Sequence, residues 1–254
     1  MEEAISLEDQ VKILKARLLE AQKMTALGEL SATTTHEFNN VLMSVINYAR
    51  MGLRNKDEAT RDKALTRILE AGERAAKITN SILGMARNRS ASLAPTDIDQ
   101  LIQDALLLLE REMRKYRIQV DYVATNAPLA QANGNQVQQV LLNLLINARQ
   151  AMPEGGELRI RLTHDPAESM VCLVVRDHGT GIPQSTLTRI FEPYFSTKSG
   201  PDESGKGGTG LGLSACRDII QSHGGRIRVE STVGVGTQFT IRLPVAQEAS
   251  RAVA

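Results

Sequence analysis

The sequence predicts a multidomain chain, an α-helical hairpin followed by a mixed α/β domain. Three observations predict it. Apolar residues from Leu7 to Ala86 recur at steps of three and four, the period of helices. From Asp97 onward, helical stretches are interleaved with segments in which apolar and polar residues alternate, the period of strands. Between the two lies Arg89–Thr96, small, polar and carrying Pro95, which reads as a linker. The 254 residues, 42% of them hydrophobic, suffice for two domains of ordinary size with their own cores, so a wholly disordered chain is excluded.

The helical half opens with Leu7, Val11, Leu14, Leu18 and Ala21, a heptad seam flanked by Glu8, Asp9, Lys12, Lys15, Arg17 and Glu20. A coiled-coil leader over residues 1–23 fits this pattern, and so does one amphipathic surface helix. The apolar stripe continues through Met24, Leu27, Phe38, Val41, Leu42, Val45 and Ala49. At 100° per residue His36 falls roughly 160° from the stripe centre, with Asn40, Met43 and Asn47 beside it. After a break at Gly52–Lys56, a second helix is expected from near Asp57 to about Asn88. Its stripe is Ala64, Leu65, Ile68, Gly72, Ala75, Thr79, Ile82, Leu83 and Ala86. One hairpin cannot cover its own apolar faces, so pairing of two hairpins into a four-helix bundle, a homodimer, is expected.

In the second half, helices are expected at Asp97–Lys115, Asn135–Met152 and Leu211–His223. Strands are expected at Ile118–Val123, Glu157–Thr163, Met170–Arg176, Arg226–Glu230 and Thr237–Leu243. Gln184–Thr209 has little periodicity and reads as a functional lid. Lys+Arg is 30 and Asp+Glu is 29, too even a balance for a general nucleic-acid binder. Two cysteines, Cys172 and Cys216, cannot build a disulfide framework and read as reduced core thiols. No apolar run approaches the roughly 20 residues of a membrane span, and no signal peptide opens the chain, so a cytoplasmic location is expected.

Four boxes in the second half fit one nucleotide site. Asn143 and Asn147 stand at i, i+4 on an apolar helix, so both amides project from one face, where carboxamide oxygens can meet Mg²⁺ or phosphate. Asp177-His-Gly-Thr-Gly181 follows an apolar strand. A carboxylate there can accept from an exocyclic amine such as adenine N6, and the glycines let backbone approach closely. Phe191-Glu-Pro-Tyr-Phe195 is an aromatic anchor for the lid, and Lys198 just beyond it can reach phosphate. Gly205-Lys-Gly-Gly-Thr-Gly-Leu-Gly-Leu213 runs into a helix, which makes a phosphate cradle of free N–H groups, although no G-K-[ST] ends it.

Taken in order, these boxes resemble the catalytic domain of histidine kinases, within the ATPases shared with gyrase, Hsp90 chaperones and MutL. The resemblance covers about Asp97 to Val245 and implies an α/β sandwich that holds ATP beneath a mobile lid. It implies Asn147 as Mg²⁺ ligand with Asn143 as its neighbour, and Asp177 as adenine reader in a pocket shaped by Gly179 and Gly181. The run Gly208-Thr209-Gly210-Leu211-Gly212 would support the triphosphate. Many family members carry a basic residue three positions after the second asparagine. Here that position is Gln150, so Arg149 and Lys198 are the candidates for neutralising phosphate charge.

In the first half, Thr35-His36-Glu37-Phe38-Asn39-Asn40 resembles the phospho-accepting H box of dimerising kinases, over about Met24 to Arg89. His36 would be the phospho-acceptor, Glu37 the general base at its Nδ1, and Asn40 a positioner of water for dephosphorylation. The division expected is a leader 1–23, a dimerisation and phosphotransfer domain 24–89, a linker 90–96, a catalytic domain 97–245 and a flexible tail 246–254. The expected partners are a response regulator receiver domain and an upstream sensory partner. The competing readings are an ATPase of the gyrase, Hsp90 and MutL class and a pseudokinase scaffold. Hydrolases of that class place a water-activating glutamate four residues before the Mg²⁺ asparagine. Asn143 stands there and cannot act as a base. A scaffold would not require His36, Asn147, Asp177 and the glycines together.

Overall fold

The computed structural model describes residues 39–86, 92–196 and 210–246. The leader 1–23, the pair His36 and Glu37, and Lys198, Gly208 and Thr209 lie outside the described residues.

Helix α1 covers residues 39–54 and α2 covers Glu58–Ala86. The break between them is set locally. The Asn55 side chain donates to the Met51 carbonyl at 2.9 Å, and the Asp57 carboxylate caps α2 by accepting from the Thr60 N–H at 2.8 Å. The two helices approach closely where Gly52 faces Ala64; a Cβ on Gly52 would lie 3.3 Å from that of Ala64.

Val41 on α1 and Ala64, Ala71 and Ile78 on α2 are buried, the last three spaced seven apart. This corrects the expected stripe on α2, because Leu65 is exposed and Ala71, outside the stripe, is buried. The helix has two apolar lines. One packs on α1 and the α/β domain, whose core takes in Ile78. The other, with Leu65 and Leu69, stays open, as do Leu42, Met43, Ile46 and Leu53 on α1 and its end.

The second half is a two-layer α/β sandwich. Its elements are β1 (Ala94–Thr96), α3 (Ile98–Lys115), β2 (Ile118–Ala124), β3 (Ala130–Ala132) and α4 (Gly134–Ala151), then β4 (Gly156–Asp165) and β5 (Met170–Asp177). After the short α5 (Gln184–Leu187) come α6 (Gly212–Ser222), β6 (Arg226–Thr232) and β7 (Gly236–Pro244). The five-stranded sheet has the order β2-β4-β5-β7-β6, with β2 parallel to β4 and the other pairs antiparallel.

Alternation along the strands decides which face is covered. Leu158, Ile160 and Leu162 on β4 and Val171, Leu173 and Val175 on β5 are buried beneath the helices. The intervening residues, Arg159, Arg161 and Arg176 among them, form the polar outer face. Arg159 pairs there with Glu157, and Arg161 with Asp121. Side-chain caps begin two helices: Asp97 accepts from the Gln100 N–H, and Asn133 from the Gln136 N–H.

Two strands were not expected, nor was the single turn of α5 inside the stretch read as a lid. Ala94–Thr96, read as the end of the linker, is strand β1, and it pairs antiparallel with β3. Each has three residues, too few for an alternating pattern to register. The α/β domain also touches the hairpin. Glu110 of α3 lies 2.7 Å from Arg74 of α2 and 2.7 Å from Arg114. A cleft of about 540 Å³ opens beside this joint, lined by Asn40, Val41, Tyr48, Arg67, Arg74 and Arg111 among others. No described helix is long and apolar enough to cross a membrane.

Candidate active site

Helix α4 lies between the sheet, α3 and α6, and this is why it is apolar around most of its girth. Asn143 and Asn147 are the half-buried polar exceptions on its α6 side. The Asn143 Nδ2 donates to the Gly212 carbonyl at 3.3 Å and lies 3.7 Å from the Cys216 Sγ. The Asn147 side chain makes no hydrogen bond among the described residues. Cys216 is buried, and burial pushes its thiol up to about 12, so it stays protonated and inert at neutral pH. Cys172, expected in the core, is only half-buried on β5.

Asp177 ends β5 and is 4% exposed. Its Oδ1 accepts two backbone N–H groups, Gly179 at 3.0 Å and Thr237 at 3.1 Å. Burial pushes its pKa above the usual carboxylate value, and the two N–H bonds oppose that shift. Both bonds go to one oxygen, which keeps Oδ2 for an incoming donor. The partner Thr237 and the turn before it were missed from sequence, because β7 lies sixty residues downstream. The signal was present in Val233-Gly-Val-Gly236. A Cβ on Gly236, at φ +127°, would come 2.0 Å from the Asp177 carbonyl oxygen.

The glycines of the Asp177 box also answer to the chain itself. A Cβ on Gly179 would lie 2.4 Å from the Ala151 carbonyl at the end of α4. One on Gly181, at φ +70°, would lie 2.2 Å from the Thr232 carbonyl of β6. Close backbone packing therefore requires them, in addition to any role toward a base.

The aromatic anchor is as expected. Phe191 and Phe195 pack on the core, and the Arg189 guanidinium lies 4.5 Å over the Phe195 ring. Tyr194 adopts φ +65°, and Gly210 abuts it so tightly that a Cβ would meet the Tyr194 carbonyl carbon at 2.4 Å. Residues 194 and 210 are thus adjacent, and the chain enters α6 from there. The N-cap of α6 is Leu211, whose side chain cannot accept a hydrogen bond, in contrast to Asp97 and Asn133 at α3 and α4; a helix N-terminus of this kind suits an anion. Leu211 and Gly212 form that entrance, with Gly212 beside the Asn143 carboxamide.

The phospho-acceptor family model, the His Kinase A (phospho-acceptor) domain, matches residues 26–91. The model for histidine kinase-, DNA gyrase B- and HSP90-like ATPases matches residues 132–247. Among solved structures, the nucleotide-free catalytic domain of the histidine kinase ThkA superposes with a TM-score of 0.53 at 32% identity, covering 60% of this chain and 95% of that one. The chain belongs to the histidine kinase family. The sensor kinase CckA of Brucella abortus is 36% identical over 258 residues, covering 95% of this chain and 26% of that protein. The signal transduction histidine-protein kinase AtoS of Escherichia coli is 31% identical over 245 residues, covering 95% and 39%. The chain therefore spans about a quarter to two-fifths of these curated relatives. ThkA in complex with the response regulator TrrA superposes at 0.53 with 27% identity, over 96% of this chain and 68% of that one.

One expected residue of this histidine kinase does not join the site. Arg149 lies two positions past Asn147, about 200° around α4, and so faces α3. Its guanidinium sits 3.7 Å from Glu112 and 4.9 Å over the Tyr116 ring. The assignment of Arg149 to the triphosphate is therefore corrected: it ties α4 to α3. His178, the variable position of the Asp177 box, is held with its Nδ1 2.9 Å from the Glu157 carbonyl.

Proposed function

We propose that this histidine kinase chain binds ATP with Mg²⁺, phosphorylates His36 and passes the phosphoryl group to an aspartate of a response regulator receiver domain. The observation that carries the nucleotide reading is Asp177, a buried carboxylate with one oxygen fixed by two backbone donors, in a domain whose α4 sets the Asn143 carboxamide against the N-terminus of α6. In this reading Asp177 Oδ2 accepts from the adenine amine, while the N–H groups at Gly210–Gly212 and those of Gly208-Thr209 meet the phosphates, with Lys198 as the cation. Neutral carboxamide oxygens suit Mg²⁺ that arrives with phosphate ligands of its own, and the Asn147 amide, without a hydrogen bond among the described residues, fits that role. Asn147 would hold the ion with Asn143 alongside, and the ion would neutralise charge on the transferring phosphate.

On the hairpin, the neutral His36 imidazole attacks the γ-phosphorus through Nε2, and the bond from phosphorus to the β-bridging oxygen breaks to release ADP. Glu37 takes the Nδ1 proton as positive charge develops on the ring. Asn143 in place of a glutamate disfavours hydrolysis by the gyrase and Hsp90 route. Incubation with labelled ATP and Mg²⁺ tests the whole reading: the protein-bound label is expected to be acid-labile and base-stable, as a phosphoramidate is. The division into a leader 1–23, a phosphotransfer domain 24–89, a linker and a catalytic domain to 245 belongs to this proposal, as do an upstream sensory partner and a cytoplasmic site of action.

The hairpin carries the dimer. Leu65 and Leu69 are each 63% exposed, and Leu42 is 52% exposed, so a single chain leaves an apolar line in water. Pairing two hairpins covers it. The full chain is expected to sediment as a dimer, and the double variant Leu65→Glu/Leu69→Glu as a folded monomer; a dimeric double variant would refute the assignment.

Asn40 is exposed one turn beyond His36 in sequence, where its carboxamide can orient water for in-line attack on an aspartyl phosphate. Asn40→Ala is expected to keep autophosphorylation and forward transfer while losing dephosphorylation of the phospho-regulator. The decay rate of the phosphorylated regulator with each protein is the measurement.

A further inference from the structure

His223, at the C-terminal end of α6, takes no part in the chemistry above, yet it is 2% exposed and fully engaged. Its Nε2 accepts from the Asn133 backbone N–H at 2.9 Å. Its Nδ1 stands 2.6 Å from the Ile219 carbonyl and donates to it. A backbone N–H can only donate and a carbonyl can only accept, so the pair of bonds fixes the neutral Nδ1–H tautomer. Burial, which pushes the imidazole below its ordinary value, acts in the same direction. Asn133 is itself the cap of α4, so His223 joins the end of α6 to the beginning of α4.

A second polar link joins the first residue of α6 to the middle of α4, where Asn143 donates to the Gly212 carbonyl. Along α6 the links fall at Gly212 and His223, and along α4 at Asn143 and Asn133. The helices therefore run antiparallel, and the links are about 15 Å apart at 1.5 Å per residue. Between them lie the apolar Ile219 and Ile220 and the Cys216 thiol, whose 4.0 Å approach to the Val140 carbonyl is a weak link. Apolar packing holds two helices together but tolerates small slides along the axis. A directional hydrogen bond at a buried end does not.

We propose that His223 is a positioning residue for the phosphates. By fixing the register of α6 along α4, it sets the spacing between the N-terminus of α6 and the carboxamides of Asn143 and Asn147. The inference rests on the nucleotide reading of that site and adds the element that holds its two walls in place. The adenine end, built on β5 and the turn before β7, does not depend on this register.

The test uses the full chain with His223→Leu, which removes the link, and His223→Gln, whose side-chain oxygen can still accept from Asn133. A non-hydrolysable ATP analogue is titrated by calorimetry, and adenosine by NMR. His223→Leu is expected to weaken the analogue about tenfold and leave adenosine unchanged, and His223→Gln to recover most of the loss. At saturating ATP the phosphorylation rate of His223→Gln is expected to match the wild type, so the defect lies in KM. Equal loss of adenosine and analogue, or no loss of either, would overturn the positioning role. If His223→Leu does not fold, His223→Gln decides alone: a two- to fivefold loss confined to the analogue supports the inference, and no loss or a loss shared with adenosine refutes it. Failure of the wild type to bind the analogue would instead remove the nucleotide reading.

Discussion

His36→Gln is expected to take up no label from ATP while binding a non-hydrolysable analogue as tightly as the wild type. Glutamine keeps the size and polarity of the side chain but has no lone pair on nitrogen that can attack phosphorus, since its amide nitrogen is conjugated to the carbonyl. The loss is therefore complete, in contrast to a lowered rate. Unchanged affinity follows from position. His36 belongs to the hairpin half of the sequence, whereas the nucleotide boxes sit on α4, the end of β5 and the start of α6. On α1, Asn40, Met43 and Asn47 are all exposed and Val41 on the other side is buried, and the exposed side is the one on which the sequence periodicity expects His36. Glu37→Gln keeps the nucleophile and removes only the base, so a loss of roughly a hundred- to ten-thousandfold is expected there. Label persisting in His36→Gln after acid and base treatment of both proteins would place the acceptor elsewhere.

The two halves of the chain were legible to different depths for a physical reason. Residues whose place follows from local spacing were readable: Asn143 and Asn147 one turn apart on an apolar helix, Asp177 at the end of an apolar strand, and the start of α2 near Asp57. Contacts between distant segments were not. Thr237 supports Asp177 across the β5–β7 pairing, and neither residue's neighbours announce that register. Strands β1 and β3 stabilise each other through a pairing that three-residue segments cannot advertise. Arg149 was misassigned because its charge was weighed without its angle around α4, where Glu112 and Tyr116 claim it. On α2, the choice between Leu65 and Ala71 as the buried line could not be read from one chain, since a helix in a bundle has apolar residues on both the intramolecular and the intermolecular side.

Asp177→Asn is expected to weaken ATP by about 1.5–3 kcal/mol, roughly ten- to a hundredfold, without weakening the fold. The substitution is isosteric. The asparagine Oδ1 can occupy the carboxylate Oδ1 position and accept the same Gly179 and Thr237 N–H groups, so the turn keeps both supports. That orientation puts an NH₂ where Oδ2 stood, and the adenine amine then meets a donor. The stability effect has the opposite sign. Burial raises the folded-state pKa of Asp177 above its usual 3.8, so as pH rises the unfolded chain gives up this proton first. The stability that the group contributes while protonated, below pH 3.8, is lost as pH climbs from that value through the raised one, and at neutral pH the ionised carboxylate is a net cost. Asparagine has no such titration. Thermal unfolding of Asp177→Asn at neutral pH is therefore expected at the wild-type temperature or above it, and its advantage over the wild type is expected to shrink as pH falls toward 3.8. Calorimetric titration and a melting series across that range read the two effects in one preparation. Unchanged ATP affinity would remove Asp177 from the adenine pocket. A large drop in melting temperature would show that the carboxylate serves the fold and would leave the affinity loss without meaning for recognition.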